Sequence, residues 1–202
     1  MTDLQKADSQ GMIAKQKLNK KKSITLKSIQ TVQKFQKGTV LLADKSGSMS
    51  GDKMNGLKDA LTTVWRPGIE GIAFDNSLYE LTEEDIGFLH ASGTTEMLGA
   101  LKEAWSRSPK HIILMTDGIP DGGTREILRE VRHHTDVPID TVGIGDLTGN
   151  WYDADFLREV ARLTGGRFTD VGEPMRLTQT LQHLLTYTPD GLQEPQEGVI
   201  NL

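Results

Sequence analysis

The chain has 202 residues, 36% hydrophobic and 25% charged, which is enough for one α/β domain with a full core and some solvated chain. It has no cysteine, which excludes disulfides and thiolate metal sites and points to a reducing, cytoplasmic setting. No apolar run approaches the roughly 18 residues of a membrane span, and the N-terminus lacks the apolar core of a signal peptide.

The net charge of −5 is unevenly spread. Residues 1–37 hold nine lysines against Asp3 and Asp8, an excess of seven positive charges, so the remaining residues carry −12. Such a lysine-rich polar arm buries too little to fold alone, and the composition predicts a solvated, partly disordered or helical segment. Ser23 can cap a short helix with Leu26, Ile29, Val32 and Phe35 on one stripe, although the alternation of Ile24 and Leu26 also fits a strand. After the arm, Thr39 to Ala43 reads as a buried strand and runs into Asp44-Lys45-Ser46-Gly47-Ser48. Met54, Leu57, Leu61 and Val64 then form a helical stripe that Arg66-Pro67-Gly68 stops. Ile69 to Phe74 and Leu78 to Leu81 read as an antiparallel edge hairpin around Asp75-Asn76-Ser77. Thr82 and Asp85 have capping-box spacing, which predicts a short helix over 83–89.

Ser92-Gly93-Thr94-Thr95 is a small-residue loop before a helix striped by Leu98, Leu101 and Trp105. His111 to Met115 is the most continuous apolar run, as expected of a central parallel strand, and ends in Thr116-Asp117-Gly118. A helix with Ile127, Leu128 and Val131 follows, then a strand from Val137 to Ile144 and the loop Gly145 to Tyr152. A helix with Phe156, Leu157, Val160 and Leu163 ends at Gly165-Gly166. Arg167 to Val171 makes the last strand, and Leu177, Leu181, Leu184 and Leu185 line the last helix. Six strands alternating with six helices predict a doubly wound, mostly parallel six-stranded sheet with helices on both faces and one short antiparallel edge strand. The expected boundaries are a basic arm at 1–37, the domain at 38–187 and an acidic disordered tail at 188–202.

Ligands in such sheets bind beyond the carboxyl ends of the strands, near a switch in strand order. Asp44 and Asp117 both stand just past predicted strand ends, and the Thr94 loop leads away from the same edge. Asp44, Ser46 and Ser48 place one carboxylate and two hydroxyls at alternate positions, an all-oxygen set suited to a hard divalent cation.

The Asp44-x-Ser46-x-Ser48 turn, Gly93-Thr94 before a helix, and Thr116-Asp117-Gly118 after a buried strand resemble the metal-ion-dependent adhesion site of a von Willebrand factor type A domain. Val142-Gly143-Ile144-Gly145, Phe156 to Ala161 and Thr164-Gly165-Gly166 resemble the closing part of that family, so the likeness spans roughly residues 38 to 187. The resemblance implies a Rossmann-like fold and a Mg²⁺ ion, with Mn²⁺ as the alternative. Ser46 and Ser48 would be direct ligands, Thr94 a ligand directly or through water, and Asp44 and Asp117 would hold metal-bound waters unless one of them binds directly. It further implies a non-enzymatic protein-binding adaptor that grips a partner's Asp or Glu carboxylate, sometimes beside an AAA+ ATPase of the MoxR or chelatase type.

Other readings have less support in the residues. The spacing from Gly47 to Lys53 is not that of a phosphate-binding loop, and Met49 stands where a nucleophile elbow needs serine. A metal-dependent phosphoesterase would use the same cation, but no general base is recognisable. Nucleic-acid binding by the basic arm has charge in its favour and a single aromatic, Phe35, against it. Asp75, Asp121 and Asp146 could ring the site and otherwise read as turn formers, Lys45 as a solvent-directed side chain, and His133-His134 as surface residues at a helix end.

Overall fold

The computed structural model describes residues 38–145 and 152–186, so the readings for the arm, the tail and Asp146 lie outside the described residues. Six strands form one sheet: β1 Thr39–Asp44, β2 Ile69–Phe74, β3 Leu78–Leu81, β4 His111–Thr116, β5 Ile139–Ile144 and β6 Phe168–Val171. Their order is β3-β2-β1-β4-β5-β6, with every neighbouring pair parallel except β2 and β3. The helices are α1 Asp52–Val64, α2 Met97–Ser106, α3 Thr124–Val131, α4 Ala154–Thr164 and α5 Leu177–Thr186.

The inner strands feed two cores by simple alternation. Leu41, Ala43, Ile113, Met115, Val142 and Ile144 face α1 and α5, meeting Leu57, Leu61, Leu181 and Leu184. Val40, Leu42, Ile112, Leu114, Ile72 and Phe74 face α2, α3 and α4, meeting Met97, Leu101, Ile127, Leu157 and Val160. The two central strands, β1 and β4, are buried along their whole length, which explains their continuous apolar sequence.

Two expectations are corrected. The capping-box segment makes only a 3-10 turn, Ile86–Phe88, in place of a helix over 83–89. The Asp85 carboxylate accepts from both the Thr82 hydroxyl and the Thr82 amide, 2.6 and 3.1 Å, so this pair folds a local turn. On α2 the fully buried stripe is Met97, Ala100, Leu101 and Ala104, with Leu98 only partly buried at its edge. Alanine and methionine complete that face, and a stripe read from large aliphatic residues alone drifts off it.

The order of strands reverses direction between β1 and β4: from β1 the chain proceeds outward through β2, and from β4 outward through β5. The carboxyl ends of these neighbours are therefore the switch point of the sheet. Their register sets Ala43 opposite Met115, which brings Asp44 beside Thr116 with Asp117 following.

Leu114, fully buried on β4, tests the sheet's dependence on its centre. Leu114→Ala should lower unfolding stability by about 2–5 kcal/mol in a denaturant titration without changing the fold.

Candidate functional site

Four loops meet at the switch point, and each is tied to the next by hydrogen bonds. The first continues β1 through Lys45, whose amide donates to the Phe74 carbonyl at 2.8 Å. The Gly47 amide donates to the Gly93 carbonyl at 3.0 Å, and the Ser92 amide to the Lys45 carbonyl at 2.8 Å, so the Ser46 and Thr95 loops are laced together. Gly93 is favoured by its φ of +69°, and a Cβ there would also push the Asn76 side-chain oxygen aside, at 2.2 Å.

Asp44 is fully buried, and its carboxylate accepts from the Ser46 amide at 2.8 Å and the Thr116 hydroxyl at 2.5 Å. Both donors are neutral. Burial pushes the Asp44 carboxyl up to about 6, against the pull of those hydrogen bonds and with a smaller upward push from Asp117. Asp117 is also buried, at 2% exposure, but is differently partnered. One of its oxygens accepts from the Ser48 hydroxyl at 2.8 Å, and the other holds the Lys53 ammonium in an ion pair. The hydroxyls of Ser46 and Ser48 lie 3.0 Å apart, with Ser46 buried and Ser48 exposed. The row of oxygens thus runs from the interior at Asp44 to the surface at Ser48.

The structure brings Asp44, Ser46, Ser48 and Asp117 together. The adjacent threonines of the next loop face differently: Thr94 is exposed, as Ser48 is, and Thr95 is buried at 6%. A Cβ placed on Gly118 would sit 3.1 Å from the Thr95 hydroxyl and 3.4 Å from the Asp44 Oδ2, so that hydroxyl shares a small space with the site carboxylate. Asp121 fixes this arrangement, since its carboxylate accepts from the Thr95 amide at 3.0 Å and its own amide donates to the Thr95 carbonyl at 2.9 Å. The loop between β3 and α2 therefore sets Thr95 on the buried side of the site edge and Thr94 on the open side.

Two lysines outside the expected ligand set are buried beside it. Lys45 is buried at 6%, not solvent-directed. Its ammonium pairs with Asp75, donates to the Ser92 hydroxyl at 3.2 Å and lies 4.4 Å from the Tyr79 ring centroid. Burial pushes the Asp75 carboxyl up, but Lys45, the Ser77 amide and the Ser92 hydroxyl outweigh it and hold it below the usual carboxylate range. Lys53, the second residue of α1, is buried at 7% on Asp117 and donates to the Ser48 carbonyl at 3.3 Å. Asp75 and Asp121 thus shape the loops through the chain's own donors. His134 stacks on Trp105 with ring centroids 4.1 Å apart, while His133 is exposed.

No group of three or more His, Cys, Asp or Glu side chains is placed to hold a metal among the described residues. The donors that do converge are two carboxylates and serine and threonine hydroxyls, an oxygen-only set that fits a hard divalent cation such as Mg²⁺ and unsuits softer metals. The uncompensated charge on buried Asp44 is what such a cation would balance.

A family model described as a von Willebrand factor type A domain matches residues 71–170, beginning after the Asp44–Ser48 turn. The chain is 32% identical over 121 residues to von Willebrand factor A domain-containing protein 3B of Homo sapiens, covering 57% of this chain and 9% of that protein. The chain thus spans about a tenth of that relative's length. Among solved structures, a von Willebrand factor type A protein from Catenulispora acidiphila superposes with a TM-score of 0.65 at 22% identity, over 73% of this chain and 41% of the other. The VWA domain of SpRpn10 superposes with a TM-score of 0.57 at 16% identity, over 73% and 94%.

Lys45 should prove structural. Lys45→Met leaves the Asp75 carboxylate buried without its partner and should cost about 3–5 kcal/mol in denaturant unfolding, with part recovered in the Lys45→Met, Asp75→Asn double variant. The Asp75 contribution has a definite sign with pH. A carboxyl depressed in the fold stabilises above its ordinary value, and that stability is lost on acidification through the depressed one. The sheet order and these matches together identify the fold as that of a von Willebrand factor type A domain.

Proposed function

We propose that this domain is a non-catalytic protein-binding module whose switch-point site holds Mg²⁺, or Mn²⁺ in its place, and offers the ion to an Asp or Glu carboxylate of a partner protein. The observation that carries this reading is the continuous row of oxygens from buried Asp44 through Ser46 and Ser48 to Asp117, opening to the surface at Ser48. Ser46, Ser48 and Thr95 would supply neutral hydroxyls, with Thr95 in the role first assigned to Thr94. Asp44 and Asp117 would hold the ion's waters or bind it directly. Neutral ligands leave a dication under-compensated, which favours an incoming carboxylate over a bound product.

The surroundings suit a protein partner. Ile119, two residues after Asp117, is 61% exposed and supplies an apolar contact beside the ion's position. None of the described helices is long and apolar enough to cross a membrane. The cysteine-free composition favours a cytoplasmic setting, and an AAA+ ATPase as the partner class is carried over from the resemblance. Hydrolysis of phosphoesters has less support, because the site's titratable groups are two carboxylates and a lysine already committed to each other or to backbone donors.

Titration of the full chain with Mn²⁺, followed by the loss of free-ion paramagnetic signal, should show one site. Ser46→Ala with Ser48→Ala should weaken it at least about tenfold, and Thr95→Val should weaken it while Thr94→Val does not. Partner capture should need Mg²⁺ and fail in chelator. Capture that persists in chelator, or in the Ser46→Ala, Ser48→Ala variant, would show that the metal does not bridge the two proteins.

A further inference from the structure

Lys53 occupies an unfavourable place for a lysine. It is the second residue of α1, where the unpaired amides and the helix dipole disfavour a positive charge, and it is almost fully buried. An ammonium is held in such a position only by a strong anionic partner. That partner is Asp117, one of the two carboxylates of the site. The Ser48 carbonyl takes a second donor bond, so Lys53 touches the Asp-x-Ser-x-Ser turn as well as the strand opposite.

The two site carboxylates are therefore unequal. Asp44 receives only neutral donors, whereas Asp117 has one oxygen on the Ser48 hydroxyl and the other on a full positive charge. A dication entering among these oxygens meets a charge that already serves part of its purpose. To use Asp117 fully it must take the carboxylate from Lys53. The fold gives the released side chain somewhere to go. Lys53 also lines a groove of about 780 Å³ between α1 and the 3-10 turn at Pro174–Arg176, whose walls include Asp52, Asp59 and Glu173.

We propose that Lys53 is an internal counter-cation which competes with the divalent ion for Asp117 and thereby sets how tightly this site holds metal. The inference rests on the metal-dependent reading above and extends it to a residue that reading leaves out. The neutral oxygens define where the ion sits, and Lys53 defines what free energy must be given up for it to bind. The same pair keeps the turn and the β4 loop together when metal is scarce, so the site does not depend on the ion for its shape.

The test compares the full-length wild type with Lys53→Gln, Lys53→Met and Lys53→Arg, by Mn²⁺ calorimetry and by thermal unfolding in chelator and in excess Mg²⁺. Removing the charge should tighten Mn²⁺ binding about tenfold or more in both Lys53→Gln and Lys53→Met, and Lys53→Arg should stay near wild type. In chelator the two neutral variants should unfold at lower temperature than wild type, and Mg²⁺ should raise their transition further than it raises that of the wild type. Equal metal affinity in wild type and both neutral variants would overturn the counter-cation while leaving the metal site standing. Weaker binding in the neutral variants would do the same and make Lys53 a structural support. Binding by the neutral variants alone would support the counter-cation and overturn metal dependence for the natural chain. Absence of binding in every variant, with folding confirmed by circular dichroism, would overturn both.

Discussion

Two carboxylates stand at the ends of adjacent parallel strands with almost no exposure to water, and the open edge of this domain is organised around keeping both of them charged and useful. An isolated buried carboxylate is costly enough that it must be paired, hydrogen-bonded or neutralised. The fold answers differently at the two positions. Asp117 receives a lysine from the first turn of α1, while Asp44 receives only an amide and a hydroxyl and is pushed up to about 6. The difference leaves a local demand for positive charge at the Asp44 side, in a space lined by serine and threonine hydroxyls. A hard dication would meet that demand with the ligands that are there.

A second buried ion pair gives the edge its shape. Lys45 leaves the motif sideways, pairs with Asp75 at the β2–β3 turn and reaches Ser92 at the start of the threonine loop. Backbone bonds from Gly47 to Gly93 and from Ser92 to Lys45 close the same circle. The loops are in this way held in one arrangement by charge and backbone, so that the hydroxyls stand in place before any ligand arrives. Prearranged donors spare the ordering cost that flexible ones incur on binding. The motif's variable position is thus one of the residues on which the site's geometry depends.

The architecture was legible because its signals are periodic or one-sided. The continuous apolar runs of β1 and β4 can only be central strands, and the Leu-rich stripes of α1 and α5 repeat at helical spacing. Asp44, Ser46, Ser48 and Asp117 were legible for a related reason, since each follows a strand end whose position the sheet fixes. What sequence could not supply was pairing across space. Nothing near Lys45 announces Asp75, thirty residues away, so Lys45 reads as solvent-directed, and nothing near Lys53 announces Asp117. That Thr95 is buried while Thr94 is exposed turns on a backbone that Asp121 holds from another loop. The 83–89 segment forms only half of a capping box, because the Thr82 hydroxyl donates to the Asp85 carboxylate while the Asp85 amide closes a turn on the Thr82 carbonyl.

The central claim is that a divalent cation sits among the hydroxyls at the ends of β1 and β4. Crystals of the full chain grown with Mn²⁺ and measured at the manganese absorption edge test it most directly. The account predicts a single anomalous peak in contact with the Ser46 and Ser48 hydroxyls, beside Thr95 and within reach of Asp44 and Asp117. A peak elsewhere on the domain, or none at this edge with the ion in excess, would contradict it.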